Sequence, residues 1–353
     1  MSKLKSLYWS LAFAGACALG AVSAWYAQVK AYLVAHLPAA AHTLWPLLLA
    51  VPASILTLAA AYLIEVLLVG WPRSSLKMLL RPQATVKLDI LSILTMILLP
   101  QRHLGWLLSF GLLYAVDFYA AQRATISITR LLSTWGLQIL CFLLFQSFLR
   151  YWMHRLEHSV PALWALHKFH HSAEQLTILT SERQTQLAKG FEEALVLLPA
   201  GLLTLPTVAV PGAASPAFTL ALIYFVYRTF IHINGYLCHS NLNSGYGWIG
   251  RWLLVSPRMH RLHHATAPAY HNKNFTFDLV IWDRLFGTYA ACEPEVDVRD
   301  IRVGLHENPF NRHPTTGGVL REYFITTLVL FWQELRKGIS ACRPRSSARV
   351  TSA

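Results

Sequence analysis

Long uncharged apolar runs alternate with short polar segments along this chain. A helix needs about 20 mainly apolar residues to cross roughly 30 Å of hydrocarbon. Ser6–Val29 is uncharged and follows Lys3 and Lys5. It reads as a first span, with a signal peptide as the alternative because Val22-Ser23-Ala24 resembles a small-residue cleavage site. Leu44–Val69 holds one charge, Glu65, and reads as the second span. The loop Trp71–Lys87 carries Arg73, Lys77, Arg81 and Lys87, which puts it in the cytoplasm by the positive-inside tendency. Ile90–Val116 is interrupted by Pro100-Gln101-Arg102-His103, predicting a short interfacial piece and then a span from Leu104 to Tyr119. Leu131–Leu149 is uncharged and ends at Arg150, another span. Leu195–Tyr227 is also uncharged, but Pro199, Pro206, Pro211 and Pro216 interrupt it. Proline inside a helix costs about 3 kcal/mol, so Phe191–Gly235 predicts a hairpin that enters and leaves by one face. The Ser- and Arg-rich Lys337–Ala353 predicts a disordered tail.

Composition sharpens this picture. Only 13% of the 353 residues are charged and 55% are hydrophobic, where soluble domains run about 25% charged. An ordinary cytosolic enzyme, a disordered chain and a disulfide-stapled scaffold are excluded. The net charge of +13 is spread between apolar runs, which suits residues flanking spans and meeting anionic lipid, not a stripe that grips nucleic acid. The five cysteines form no CxxC pair and read as free thiols. The expected architecture is an all-α integral membrane protein, with several transmembrane helices and a histidine-rich helical cytoplasmic cap, which the resemblance given below implies holds a dimetal site. Its expected parts are an N-terminal membrane region (1–130, two to three spans), a catalytic region (131–292) containing the hairpin at 191–235, and a C-terminal region with a basic tail (293–353).

The candidate chemistry lies in the histidines. Eleven of the 16 fall between His154 and His271. His154 and His158 form HxxxH; His167, His170 and His171 form HxxHH; His260, His263 and His264 form a second HxxHH. Residues three and four apart share a helix face, so each cluster can aim two or three imidazoles at one point. Neutral imidazole suits iron, zinc and copper. The hairpin returns the chain to the face it left, so all three clusters share one side of the membrane. Two rival readings are open. His154-Arg155-Leu156-Glu157-His158 matches the inverted zinc-peptidase signature with Glu157 as general base, but this leaves six histidines unexplained. A histidine-lined metal or solute transporter would place such residues along the spans, and these sit outside them.

The same residues carry a resemblance. Arg150 through His158, Leu163-Trp164 and His167-Lys168-Phe169-His170-His171-Ser172 resemble the first half of the fatty acid hydroxylase / sterol desaturase superfamily. His239-Ser240-Asn241, Pro257 through His264, Asn272-Lys273-Asn274-Phe275 and Ile281 through Thr288 resemble its second half. The resemblance implies a membrane-bound non-haem di-iron oxygenase using two iron ions and O₂ on a lipid, as a hydroxylase or, with the same site, a desaturase. It implies His154, His158, His167, His170, His171, His239, His260, His263 and His264 as ligands. His232 would be an outer partner and His271 a weaker ligand candidate. Glu157 and Asp283 are the favoured outer carboxylates, with Glu174, Glu182 and Asp278 as further candidates to offset the metal charge; Asp283 could instead pair with Arg284. Trp152 and Trp164 could anchor at the interface or touch substrate. Thr276 stands where a glycine is usual. Electrons would come from a separate small cytochrome or ferredoxin with its reductase. The histidines would face the cytoplasm, at the inner membrane of a bacterium or the endoplasmic reticulum of a eukaryote.

Overall fold

The computed structural model describes residues 45–80, 82–98, 135–192, 227, 229–291, 296–312 and 315–341. The predicted spans Ser6–Val29 and Leu104–Tyr119, the interior of the hairpin, the end of the tail, and Cys17, Cys292 and Cys342 lie outside them. The described part is mostly helical. Its α-helices are α1 (Trp45–Val69), α2 (Ala84–Leu98), α3 (Trp135–Ser159), α4 (Pro161–His171), α5 (Trp248–Trp252), α6 (Pro257–His263), α7 (Ile281–Leu285), α8 (Thr316–Arg321) and α9 (Thr327–Ala341). Residues 186–192 and 229–238 are helical too. Among the described residues no helix is long and apolar enough to cross a membrane. α1 coincides with the run Leu44–Val69, and the first part of α3 with Leu131–Leu149. α3 does not stop at Arg150: it continues to Ser159 and carries His154 and His158. The apolar run and the first histidine pair are therefore one rigid element. Cys141 and Cys238 are free.

α4 begins at Pro161, whose fixed φ suits the first helical turn. It packs against α3 on one side and α9 on the other. α8 runs through a π-helical turn, Glu322–Thr326, into α9. That places Tyr323 against Phe169, ring centroids 5.6 Å apart, with Phe310 on the same ring at 5.1 Å. A larger core joins Ala61, Tyr62 and Ile64 of α1 to Ile178, Leu179, Ile231, Tyr236 and Leu237.

Buried charge supplements the apolar packing. Arg183 and Asp89 are fully buried and bonded at 2.9 Å. Arg183 also donates to the carbonyls of Thr85 and Phe169, to Ser172 Oγ and to Asn311 Oδ1. Asp89 accepts from Thr177 and Thr180 as well. One ion pair thereby joins α2, the C-terminal end of α4, residues 177–183 and residue 311. Glu65, the single charge in the second apolar run, is fully buried. It accepts from Ser75 N and Oγ and from Asn241 N, at 2.7–3.0 Å, which fixes the loop just after His239.

Candidate metal centre

All nine histidines implied by the resemblance converge. They form two groups: His154, His158, His167, His171 and His263, and His170, His239, His260 and His264. Within each group the ligand-type nitrogens lie within 4.8 Å of one another. Helical periodicity sets the division. Residues i and i+4 are nearly eclipsed on a helix, whereas i+3 is rotated away. α4 therefore sends His167 and His171 to the first group and His170 to the second. α6 and the residue after it do the reverse: His260 and His264 enter the second group, His263 the first. The HxxxH pair on α3 completes the first group and His239, in the turn after helix 229–238, the second. Each HxxHH cluster is thus divided between two points, where the sequence suggested one point per cluster. The groups abut, with the rings of His171 and His264 stacked 4.5 Å apart.

The outer ring nitrogens are held. His154 Nδ1 donates to Phe275 O at 2.6 Å, His239 Nδ1 to Gly235 O at 2.9 Å and His263 Nδ1 to Lys273 O at 2.7 Å. His167 Nδ1 lies 3.1 Å from Glu157 Oε2. Such contacts fix the tautomer and leave Nε2 as the free donor atom. The inner nitrogens face one another: His154 and His167 Nε2 are 3.0 Å apart, and His239 and His260 Nε2 also 3.0 Å. His158, His171 and His263 Nε2 are buried without any hydrogen-bond partner. Buried polar atoms are ordinarily paired, so these orphaned, inward-facing nitrogens fit a pair of metal ions. Burial is the largest influence on every one of the nine imidazoles and pushes its pKa down, to about 4 for His239 and His263. They are neutral at pH 7, the form that binds metal.

Glu157 is buried, which pushes its pKa well above the usual carboxylate range. It touches the outward nitrogen of His167, the place of an orienting partner and not of a general base. Asp283 touches none of the nine directly. It accepts from the backbone N–H groups of Phe275 and Thr276, at 2.8 and 3.0 Å, and from the hydroxyls of Thr276 and Thr288. Phe275 O is the acceptor for His154, so Asp283 acts through that loop. It does not pair with Arg284, whose Nε donates to Arg251 O. Asn274 adopts a left-handed φ of 58°, and its side-chain amide bonds Met259 O and Ala290 O and N. Thr276 does not have a positive φ, so the position does not demand glycine, and its hydroxyl is used. Trp164 lies 5.0 Å from His158, and Phe277 stacks on His154 at 4.5 Å. Trp152 packs on Phe286 with Arg155 over its ring.

The remaining sequence candidates sit elsewhere. His232 and His271 are exposed and in neither group. His271 Nε2 donates to Thr266 O. Glu174 accepts from Asn308, Glu182 from Tyr236, and Asp278 from Ser147 and Tyr227. The sequence did not single out Arg183 or Asp89, because an isolated Arg or Asp in a polar stretch gives no local signal. Glu65 did carry one, as a charge inside an apolar run.

A helical protein with two adjoining all-histidine metal-type groups is a narrow class. Residues 139–288 match the fatty acid hydroxylase family. The chain is 31% identical over 146 residues to an alkylglycerol monooxygenase of Xenopus tropicalis, covering 41% of this chain and 29% of that protein. It is 34% identical over 152 residues to an ornithine lipid hydroxylase of Rhizobium tropici, covering 43% and 41%. Against a fatty acid hydroxylase of a Lecanicillium species it is 26% identical over 163 residues, covering 44% and 42%. The chain thus spans less than half the length of these relatives, all of them oxidoreductases by name. No solved structure matches it.

Proposed function

We propose that this chain is a membrane-bound, O₂-dependent oxidoreductase that hydroxylates a lipid at a di-iron site held by the nine histidines. The observation that carries the reading is the division of nine neutral imidazoles, eight buried and His158 half-buried, into adjoining groups of five and four with nitrogens turned inward. The relatives' names speak for oxygenation, and zinc is redox-inert, so iron is the metal we assign. When bound it would supply the oxidant that removes hydrogen from an unactivated C–H bond. One oxygen atom would enter the lipid and the other leave as water, with two electrons from a separate small cytochrome or ferredoxin and its reductase and two protons from solvent.

The chain's own residues would do the rest. Glu157, Phe275 O, Gly235 O and Lys273 O hold ligand imidazoles in orientation. Trp164 and Phe277 cover the first group and keep water from it. The substrate class is a membrane lipid: sterol, fatty acyl or other. The histidines would face the cytoplasm, and residues 131–292 would form the catalytic region between an N-terminal membrane region and a C-terminal tail.

The test is lipid mass spectrometry on cells expressing the wild type or His170→Ala, grown under heavy-isotope O₂. A lipid that gains one labelled oxygen with the wild type alone is the expected outcome. A lipid that loses two hydrogens without label would make the enzyme a desaturase. No difference, in a host with a suitable reductase and candidate lipids, would overturn the enzymatic reading.

A further inference from the structure

We infer that the histidine-bearing cap is seated in the bilayer surface through two exposed apolar faces, and does not merely stand above the membrane on its spans. This rests on reading Leu131–Leu149 and Phe191–Gly235 as membrane segments. The first face is built by α5 and α7, which the reciprocal pairing of Leu254 with Leu279 holds side by side. Trp252, Leu253, Ile281 and Leu285 are each 42–65% exposed. On α7 the residues Ile281 and Leu285, one turn apart, point outward, while Asp283 is fully buried toward the site loop. The second face runs along α8 and α9, where Phe324, Leu328 and Trp332 recur every four residues and are 43–51% exposed. The opposite side of that helix packs on α4 through Tyr323.

Bare apolar stripes of this size mark contact surfaces, and two observations point to lipid as the occupant. Each face sits at the mouth of a sequence-read membrane segment. Trp282 of α7 donates to Ser147 Oγ at 2.8 Å and packs on Phe148 at 5.2 Å, in the last turn of the apolar run of α3. Phe331 of α9 packs on Phe191, where the hairpin begins, at 6.0 Å. Both faces are therefore at the depth where the chain passes into hydrocarbon. Each also carries an arginine laid over an exposed tryptophan: Arg284 on Trp252 at 4.0 Å and Arg336 on Trp332 at 5.2 Å. With exposed Arg251 and Lys337 beside them, these cations face the level of anionic headgroups. Tryptophan with a flanking cation is the pairing favoured at a membrane–water boundary.

The test places p-benzoylphenylalanine at position 285, 328, 299 or 140 of the full chain, in single-copy nanodiscs of phosphatidylcholine and phosphatidylglycerol. After irradiation, lipid adducts are counted by mass spectrometry. Positions 285 and 328 should form lipid adducts as abundantly as position 140 in the apolar run, and several-fold more than position 299, an exposed polar site. Adducts at 140 with none at 285 and 328 would overturn the inference and leave the spans intact. No adduct at 140 would overturn the membrane reading beneath it. In proteoliposomes carrying many copies, crosslinks at 285 or 328 to a second copy in place of lipid would also overturn it, making the face a subunit interface.

Discussion

The geometry of single imidazoles carries most of the function. His170, His171, His263 and His264 each present a nitrogen to one of the two groups. Replacing any one by Ala would remove an inward-facing nitrogen that a methyl group cannot supply. Hydroxylation should be abolished while the variant still reaches the membrane fraction; full turnover in two of the four variants would sink the assignment. The nine imidazoles together set the acid response of the metal-free protein. Their folded pKa values lie below the usual 6.5, at about 4 for His239 and His263. Below pH 6.5 the unfolded chain therefore binds more protons than the folded one, and stability falls with pH. The thermal midpoint of metal-free protein in detergent should hold above pH 7 and drop steadily between pH 6.5 and 4. A flat profile would contradict the buried neutral state.

At the scale of elements, the register of two helices decides the site. α4 and α6 carry the same HxxHH spacing, yet one gives its eclipsed pair to the first group and the other to the second. What fixes α4 is a side chain remote from any metal: Arg183 grips Phe169 O and Ser172 Oγ at its C-terminal end and Asp89 on α2. Arg183→Met leaves Asp89 as an unpaired buried charge, which costs about 3–5 kcal/mol. We expect a correspondingly lower denaturation midpoint. Met in both positions, which removes both charges, should recover much of the loss. A midpoint unchanged by the single substitution would mean that α4 is held by its apolar contacts alone. The helical character, the HxxxH and HxxHH spacings and the turn around Asn274 were legible in the sequence because each is local. The continuation of α3 past Arg150 was not, because the arginine ended the apolar run without ending the helix.

For the whole molecule, inward-facing nitrogens without partners mean that metal should stabilise the fold and not only activate it. A ligand at 100 times its Kd adds about 2.7 kcal/mol to unfolding. Ferrous iron under anaerobic conditions, or zinc in its place, should raise the thermal midpoint, and a chelator should reverse the rise. A double variant, His170→Ala with His263→Ala, should lose most of the shift; an unshifted wild type would deny the site its metal. The sequence by itself determined a largely apolar chain, its helical stretches and eight histidines in ordered clusters, since these depend on residue type and on spacings of three and four; His239 came only with the family resemblance. Tertiary structure alone decided how the clusters divide into groups of five and four. It also turned Glu157 to the back of His167, set Asp283 behind a loop and not on a ligand, and left His232 and His271 outside. Those outcomes depend on the angles at which α3, α4 and α6 meet, and on contacts between residues far apart in the chain, such as the buried Arg183–Asp89 pair that ties the end of α4 to α2, and no local pattern encodes either.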